Sequence, residues 1–245
     1  MINKTTLTQT DNSNINNSMR SLITMLGILG AFVPLLVLGF IGTRLGAGTP
    51  RGGMLITLGY GLSVTVATAV LKLQGSSWRD IGLSRPQSWM RTLLFGLGTL
   101  VGAILVINVV TAIALNLPGV AAEPPDVSRF NPMENNLPLL LGYLVLAWTA
   151  IAFGEEMLFR AFLTTQLTRL FHNTNANWAL ATLGSSILFG LAHYQEGLVG
   201  MLSNGAFGFL LCVMYLMTGR NLWVTIIAHG LLNTLRFVLV FSGVA

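Results

Sequence analysis

The sequence predicts an all-α fold, a polytopic membrane bundle of about seven to eight transmembrane helices. Three observations carry that expectation. Hydrophobic residues fill 53% of the 245 positions and charged residues only 9%, whereas a soluble domain carries roughly a quarter charged residues. Mean hydropathy is +0.72. Long apolar windows recur along the chain, each close to the ~20 residues needed to cross a bilayer.

Taken in order, residues 1–20, "MINKTTLTQTDNSNINNSMR", are polar and rich in asparagine. They have too little to bury and read as a disordered tail. Residues 21–74 read as N-terminal transmembrane helices, with windows at 21–43 and 54–71. The first window is too long for a signal-peptide core and lacks a small-residue cleavage site, so it reads as an uncleaved anchor. Residues 75–240 form the expected functional core, with windows at 92–115, from 137 through 153 and beyond, 178–192, 198–217 and 222–240. The third window contains Gly98 and Gly102, a small-residue spacing that lets helices approach closely. Nothing breaks the fourth helix between residues 139 and 171. At 1.5 Å per residue that is roughly 50 Å, more than the ~30 Å hydrocarbon core. It must tilt, protrude or bend, and Arg160 and Arg169 bring its second half towards the interface.

The formal net charge is +5, but the cations are scattered through loops, with no basic run or aromatic-interleaved patch for nucleic acid. In a membrane chain they report orientation instead. Lys72, Arg79, Arg85 and Arg91 crowd one loop, and the loop at 116–136 sets Arg129 alone against Glu123, Asp126 and Glu134. An amino terminus inside places most loop cations in the cytoplasm, with Arg44 and Arg51 on the other side. Prolines and glycine in "LPGVAAEPPD" end any helix in the second loop. The single cysteine, Cys212, lies in an apolar span and reads as core; no intrachain disulfide or CxxC site can form. The expected setting is the cell membrane, as a multi-pass protein with the lipid bilayer as a partner and no nucleic acid.

Against this background three short patterns stand out: "EEMLFR" with Glu155, Glu156 and Arg160, "FGLAH" with Phe189 and His193, and "HGLLN" with His229 and Asn233. Each joins positions four apart, which share a helix face. Glu156 can pair with Arg160 along the helix. Glu155 is turned about 100° away and must find partners on other helices. With a turn at residues 172–177, Glu155 and His193 each lie about 16 residues from it, roughly 24 Å along an antiparallel pair. His229 and Asn233 can reach the same level, so the three patterns can converge on one pocket. Phe189 lines that pocket or packs beside His193. Arg236 shares the Asn233 face and either neutralises a carboxylate or snorkels to the interface. His172, in the turn, reads as solvated, and Glu196 as an interfacial charge.

In this order on successive spans, "EExxxR", "FxxxH" and "HxxxN" resemble the CPBP family of CAAX prenyl proteases, Abi proteins and bacteriocin-processing enzymes. "SSWRDIGLSRP" at residues 76–86 resembles the segment that often precedes the family's core, and the likeness covers roughly residues 75–240. The resemblance implies an intramembrane peptidase, glutamic or metallo, whose further partner is a peptide or membrane-protein substrate. Glu155 would activate water with His193 helping to hold it, His229 and Asn233 would steady the oxyanion, and Glu156 and Arg160 would support them.

The chemistry is consistent with either scheme. Hydrolysis needs a positioned base and donors aimed at the developing oxyanion. Glu155, His193 and His229 also match a His2Glu set for a divalent metal such as zinc, although HExxH is absent. The cofactor is therefore either none or such a metal. Two other functions compete. A proton-coupled transporter predicts internal repeats, and none is evident. A non-catalytic adaptor or bacteriocin self-immunity protein predicts eroded motifs, and these are intact.

Overall fold

The computed structural model describes residues 4–46, 49–118, 123–170 and 174–244. Among them the chain forms seven long helices and no strand: α1 (Lys4–Arg44), α2 (Pro50–Leu73), α3 (Trp89–Leu115), α4 (Leu137–Leu170), α5 (Asn175–Ala192), α6 (Gly197–Met217) and α7 (Leu222–Phe241). Short 3-10 turns at Ser128–Met133 and Tyr194–Glu196 precede α4 and α6. Six stretches are long and apolar enough to cross a membrane, Ser21–Arg44 within α1 being the first. The exception, α5, carries Asn175, Asn177, Thr182, Ser185 and Ser186. His172 and part of its expected turn lie outside the described residues.

Helix starts follow local chemistry. Thr49, Ser88, Asn136, Thr174 and Asn221 each accept a hydrogen bond from an amide of the first turn, satisfying donors that a helix start leaves open. Proline near the beginning of α2 and α4 removes another such donor at little cost.

Polarity is reversed relative to a soluble bundle. Leu29, Leu36, Leu94, Leu105 and Val145 face outward, while Ser63, Glu156, Arg160, Thr164 and Gln166 are fully buried. Lipid accepts the former; the latter need partners inside. Arg160 is therefore not an interfacial residue as expected but part of the core. Arg169 does sit at a margin, where it donates to Gln74 and, at 3.3 Å, to Ser76. The tight contact of α3 also differs from expectation. A side chain at Gly98 would meet nothing within 4 Å, whereas one at Gly96 would stand 2.8 Å from Ile227 of α7. Gly98 sits on the exposed face of α3, so its spacing to Gly102 does not set that contact.

The segment at 76–86 is a strap rather than a free loop. Trp78 Nε1 donates to Thr68 Oγ1 (2.8 Å), Tyr215 Oη to the Ile81 carbonyl (2.8 Å), Leu222 N to the Gly82 carbonyl (3.1 Å) and Trp223 Nε1 to the Ser84 carbonyl (3.1 Å). It thus ties α2 to the α6–α7 corner. At its start Asp80 accepts from the Ser77 hydroxyl and amide, which hold its carboxyl below the usual range.

Candidate active site

Two stretches of α4, Ala147–Ala152 and Glu156–Leu163, are wound as π-helix and flank Glu155. Wider winding loosens the regular backbone ladder and is frequent at functional sites. One consequence is visible at Phe159, whose carbonyl accepts from Thr164 Oγ1 (2.9 Å) and from Ser185 Oγ on α5 (2.9 Å). The irregular winding is thereby bonded across to a neighbouring helix.

The acidic pair divides as its sequence positions predict. Glu156 is fully buried, accepts from His229 Nδ1 at 2.8 Å and lies 3.1 Å from Arg160 NH1. That last contact has the distance of an ion pair without hydrogen-bond angles, for none of the guanidinium nitrogens has a hydrogen-bond partner among the described residues. Arg160 instead sets its guanidinium carbon over the Phe189 ring, 4.0 Å from the centroid, gaining a cation–π contact in a dry setting. Glu155 finds its partners on other helices: Tyr60 Oη on α2 donates to Oε1, and His229 Nε2 on α7 lies 3.8 Å from Oε2. One imidazole therefore stands between the two carboxylates.

Glu155, His193, His229 and Asn233 all line one cavity of about 490 Å³. Phe189 both lines it and packs on His193, the ring centroids 4.7 Å apart. Glu155 Oε2 and Asn233 Nδ2 are buried without a hydrogen-bond partner among the described residues. Polar atoms in that state are costly unless something else engages them. Asn233 shares α7 with His229, and Gly230 between them lets Trp148 of α4 lie against the helix; a Cβ there would stand 2.6 Å from the indole ring.

His193 is less directly engaged. Its Nδ1 faces the Phe189 carbonyl at 2.8 Å, so this nitrogen carries the proton, and it makes neither a hydrogen bond nor an ion pair with Glu155. A zinc site would require ligand atoms within about 2.0–2.2 Å of one point. Among the described residues no three His, Cys, Asp or Glu side chains are gathered closely enough to hold a metal ion. Glu155, His193 and His229 as they stand do not form such a site.

A second polar group lines the same cavity. Glu196 is not the interfacial charge expected of it but is buried, paired with Arg129 (2.6 Å) and Arg236 (3.4 Å) and accepting from Asn204 (3.0 Å). Arg236 thus neutralises a site carboxylate, one of the two roles open to it. The signal for Glu196 was there to be found, since Arg129 is the lone cation of its loop. Cys212 is buried as expected, 3.7 Å from Thr164 Oγ1. Tyr60, Ser185 and Asn204 escaped the sequence reading because neutral residues within spans carry no distinguishing pattern.

The fold and site together define a multi-pass helical membrane protein with acid, imidazole and amide groups around an interior cavity. Residues 137–235 match the family model described as Rce1-like, type II CAAX prenyl endopeptidase, in line with the resemblance carried by the three motifs. No curated protein and no solved structure gives a significant match to the chain.

Proposed function

We propose that the chain is a CAAX-protease-like intramembrane endopeptidase in which Glu155 activates water directly. The observation that carries this reading is the environment of Glu155: a buried carboxylate on the cavity wall, one oxygen held by Tyr60 and the other without a partner. Two atoms 3.8 Å apart, such as Glu155 Oε2 and His229 Nε2, can share one water at ordinary hydrogen-bond distance from both.

In this mechanism Glu155 Oε2 takes a proton from that water as its oxygen adds to the peptide carbonyl carbon. The carbonyl oxygen becomes an oxyanion, which Asn233 Nδ2 receives with a donor not otherwise engaged. A preorganised donor of this kind contributes roughly 10²–10³ in rate. Collapse of the tetrahedral intermediate breaks the C–N bond, and the proton on Glu155 passes to the leaving amine. Glu156 and Arg160 hold His229, the carboxylate fixing Nδ1 as a donor and leaving Nε2 towards Glu155. His193, its Nδ1 engaged by the Phe189 carbonyl, lines the same cavity and helps to hold the water there.

The test uses purified protein in liposomes with quenched fluorescent membrane peptides, with and without a prenylated cysteine. Wild type should cleave at least one class. Glu155→Gln, which preserves size and the Tyr60 contact, should lower cleavage by roughly 10²–10⁴. Cleavage retained in a folded Glu155→Gln protein overturns the assignment.

A further inference from the structure

Tyr60 belongs to none of the three motifs and lies outside the 137–235 family match. Its hydroxyl nevertheless donates to Glu155 Oε1, and its side chain lines the cavity. We infer that Tyr60 is a positioning residue for hydrolysis, contributed by the α1–α2 hairpin. It occupies one carboxylate oxygen of Glu155 so that the other is the one presented to water. The inference rests on Glu155 being the base.

Three observations support a specific role over simple packing. The two oxygens of Glu155 are in different states: Oε1 is engaged by Tyr60, while Oε2 has no hydrogen-bond partner and is the atom nearest His229 Nε2. A carboxylate free to rotate would exchange these oxygens, and a donor fixed on one of them removes that freedom. Secondly, the hairpin holds Tyr60 from both sides. A Cβ on Gly59 would stand 3.3 Å from Leu35 Cα and 3.3 Å from the Pro34 carbonyl, so α1 and α2 touch backbone to backbone beside it. One turn further along, buried Ser63 accepts from Leu35 N at 3.0 Å. Thirdly, α2 also packs directly on the Glu155 region of α4. The hydroxyl therefore stands on a braced support rather than on a mobile side chain. Precise support of this kind is what a catalytic geometry requires.

The experiment compares kcat and KM of wild type and Tyr60→Phe in liposomes, using whichever fluorescent peptide wild type cleaves, alongside melting temperatures and the Glu155→Gln control. Tyr60→Phe keeps the ring and loses only the donor. The expected result is a fall in kcat of about 10- to 100-fold, the range for losing a hydrogen bond to a charged group. KM should stay within about twofold and melting should be unchanged, a split that a packing role does not produce. If Tyr60→Phe melts early, ring-fluorinated tyrosines at position 60 keep the shape while making the hydroxyl a stronger donor, and kcat should change progressively with fluorine content. A well-folded Tyr60→Phe protein with wild-type kcat, or a kcat indifferent to fluorination, overturns the inference. If Glu155→Gln is inactive while Tyr60→Phe is normal, only the role of Tyr60 fails. If Glu155→Gln remains active, the mechanism and this inference fail together.

Discussion

Arg160→Met leaves a fully buried carboxylate, Glu156, with His229 as its remaining ion-pair partner. Removing one partner of a buried ion pair costs about 3–5 kcal/mol, because the other charge stays desolvated. Loss of the stacking on Phe189, now at 4.0 Å, adds up to about 2 kcal/mol. In the opposite direction, methionine fills the stem's space and removes three guanidinium nitrogens that have no hydrogen-bond partner. Because the cation is already compensated by Glu156 and the Phe189 face, these unmet donors together recover only about 1–3 kcal/mol. The charge effect wins, with a net cost of about 3 kcal/mol. The assay is thermal unfolding in detergent, where a loss of that size lowers the melting temperature by roughly 6–12 °C. In a Glu156→Gln background Arg160 is itself the stranded charge, so there the same replacement should be neutral or slightly stabilising. Equal losses in the two backgrounds, or a single-variant loss below about 1 kcal/mol, would refute the claim that charge compensation holds this centre together.

Asn233→Ala should lower kcat by roughly 10²–10³ with KM little changed, measured on any peptide the wild type cleaves; a parallel loss in KM would mean that the amide binds substrate instead. Glu196→Gln leaves Arg129 and Arg236 facing each other, but both side chains are partly exposed at 26% and 33%. The loss should therefore sit at the low end of the range for a broken pair, about 2 kcal/mol by unfolding. Asp80 has its folded-state pKa depressed by the Ser77 hydroxyl and amide. Its contribution is thus present above the unfolded carboxyl value near 3.8 and fades as pH falls through the lower folded value. Protection of the Ser77 amide against hydrogen exchange, taken relative to its intrinsic rate at each pH, should fall in that acidic window, and Asp80→Asn should remove that change.

Much of this site was legible because charge is expensive in a membrane. Glu155, Glu156 and Arg160 announce themselves by being where lipid forbids them, and the four-residue spacing already assigns Arg160 to Glu156 rather than to Glu155. Counting depth along the helices sets Glu155 and His193 at one level and lets His229 and Asn233 reach it; all four line the cavity, but the close approach to Glu155 is made by His229 and not His193. Burial does not follow from counting. Glu196 looked peripheral because it lies in a short link, yet two arginines from different elements draw it inside. Tyr60 was invisible for the opposite reason: a lone tyrosine in a span satisfies its hydroxyl in many ways, and only the packed hairpin selects Glu155. The π winding of α4 was equally hidden, since its residues are ordinary helix formers and its support comes from Ser185 on another helix.

That winding has a bearing on how the gene can change. Between Glu156 and Leu163 the chain holds more residues per turn than an α-helix. Removing one codon there would let the backbone relax into the regular form, leaving the helix beyond nearly in place but carrying side chains inside the stretch round by as much as about 100°. Arg160, inside that stretch, would then leave Phe189. Exchanges of one side chain for another preserve this phase, but gains or losses of length do not. Among descendants of this chain, the spacing of that short stretch should therefore be inherited more strictly than most of its letters.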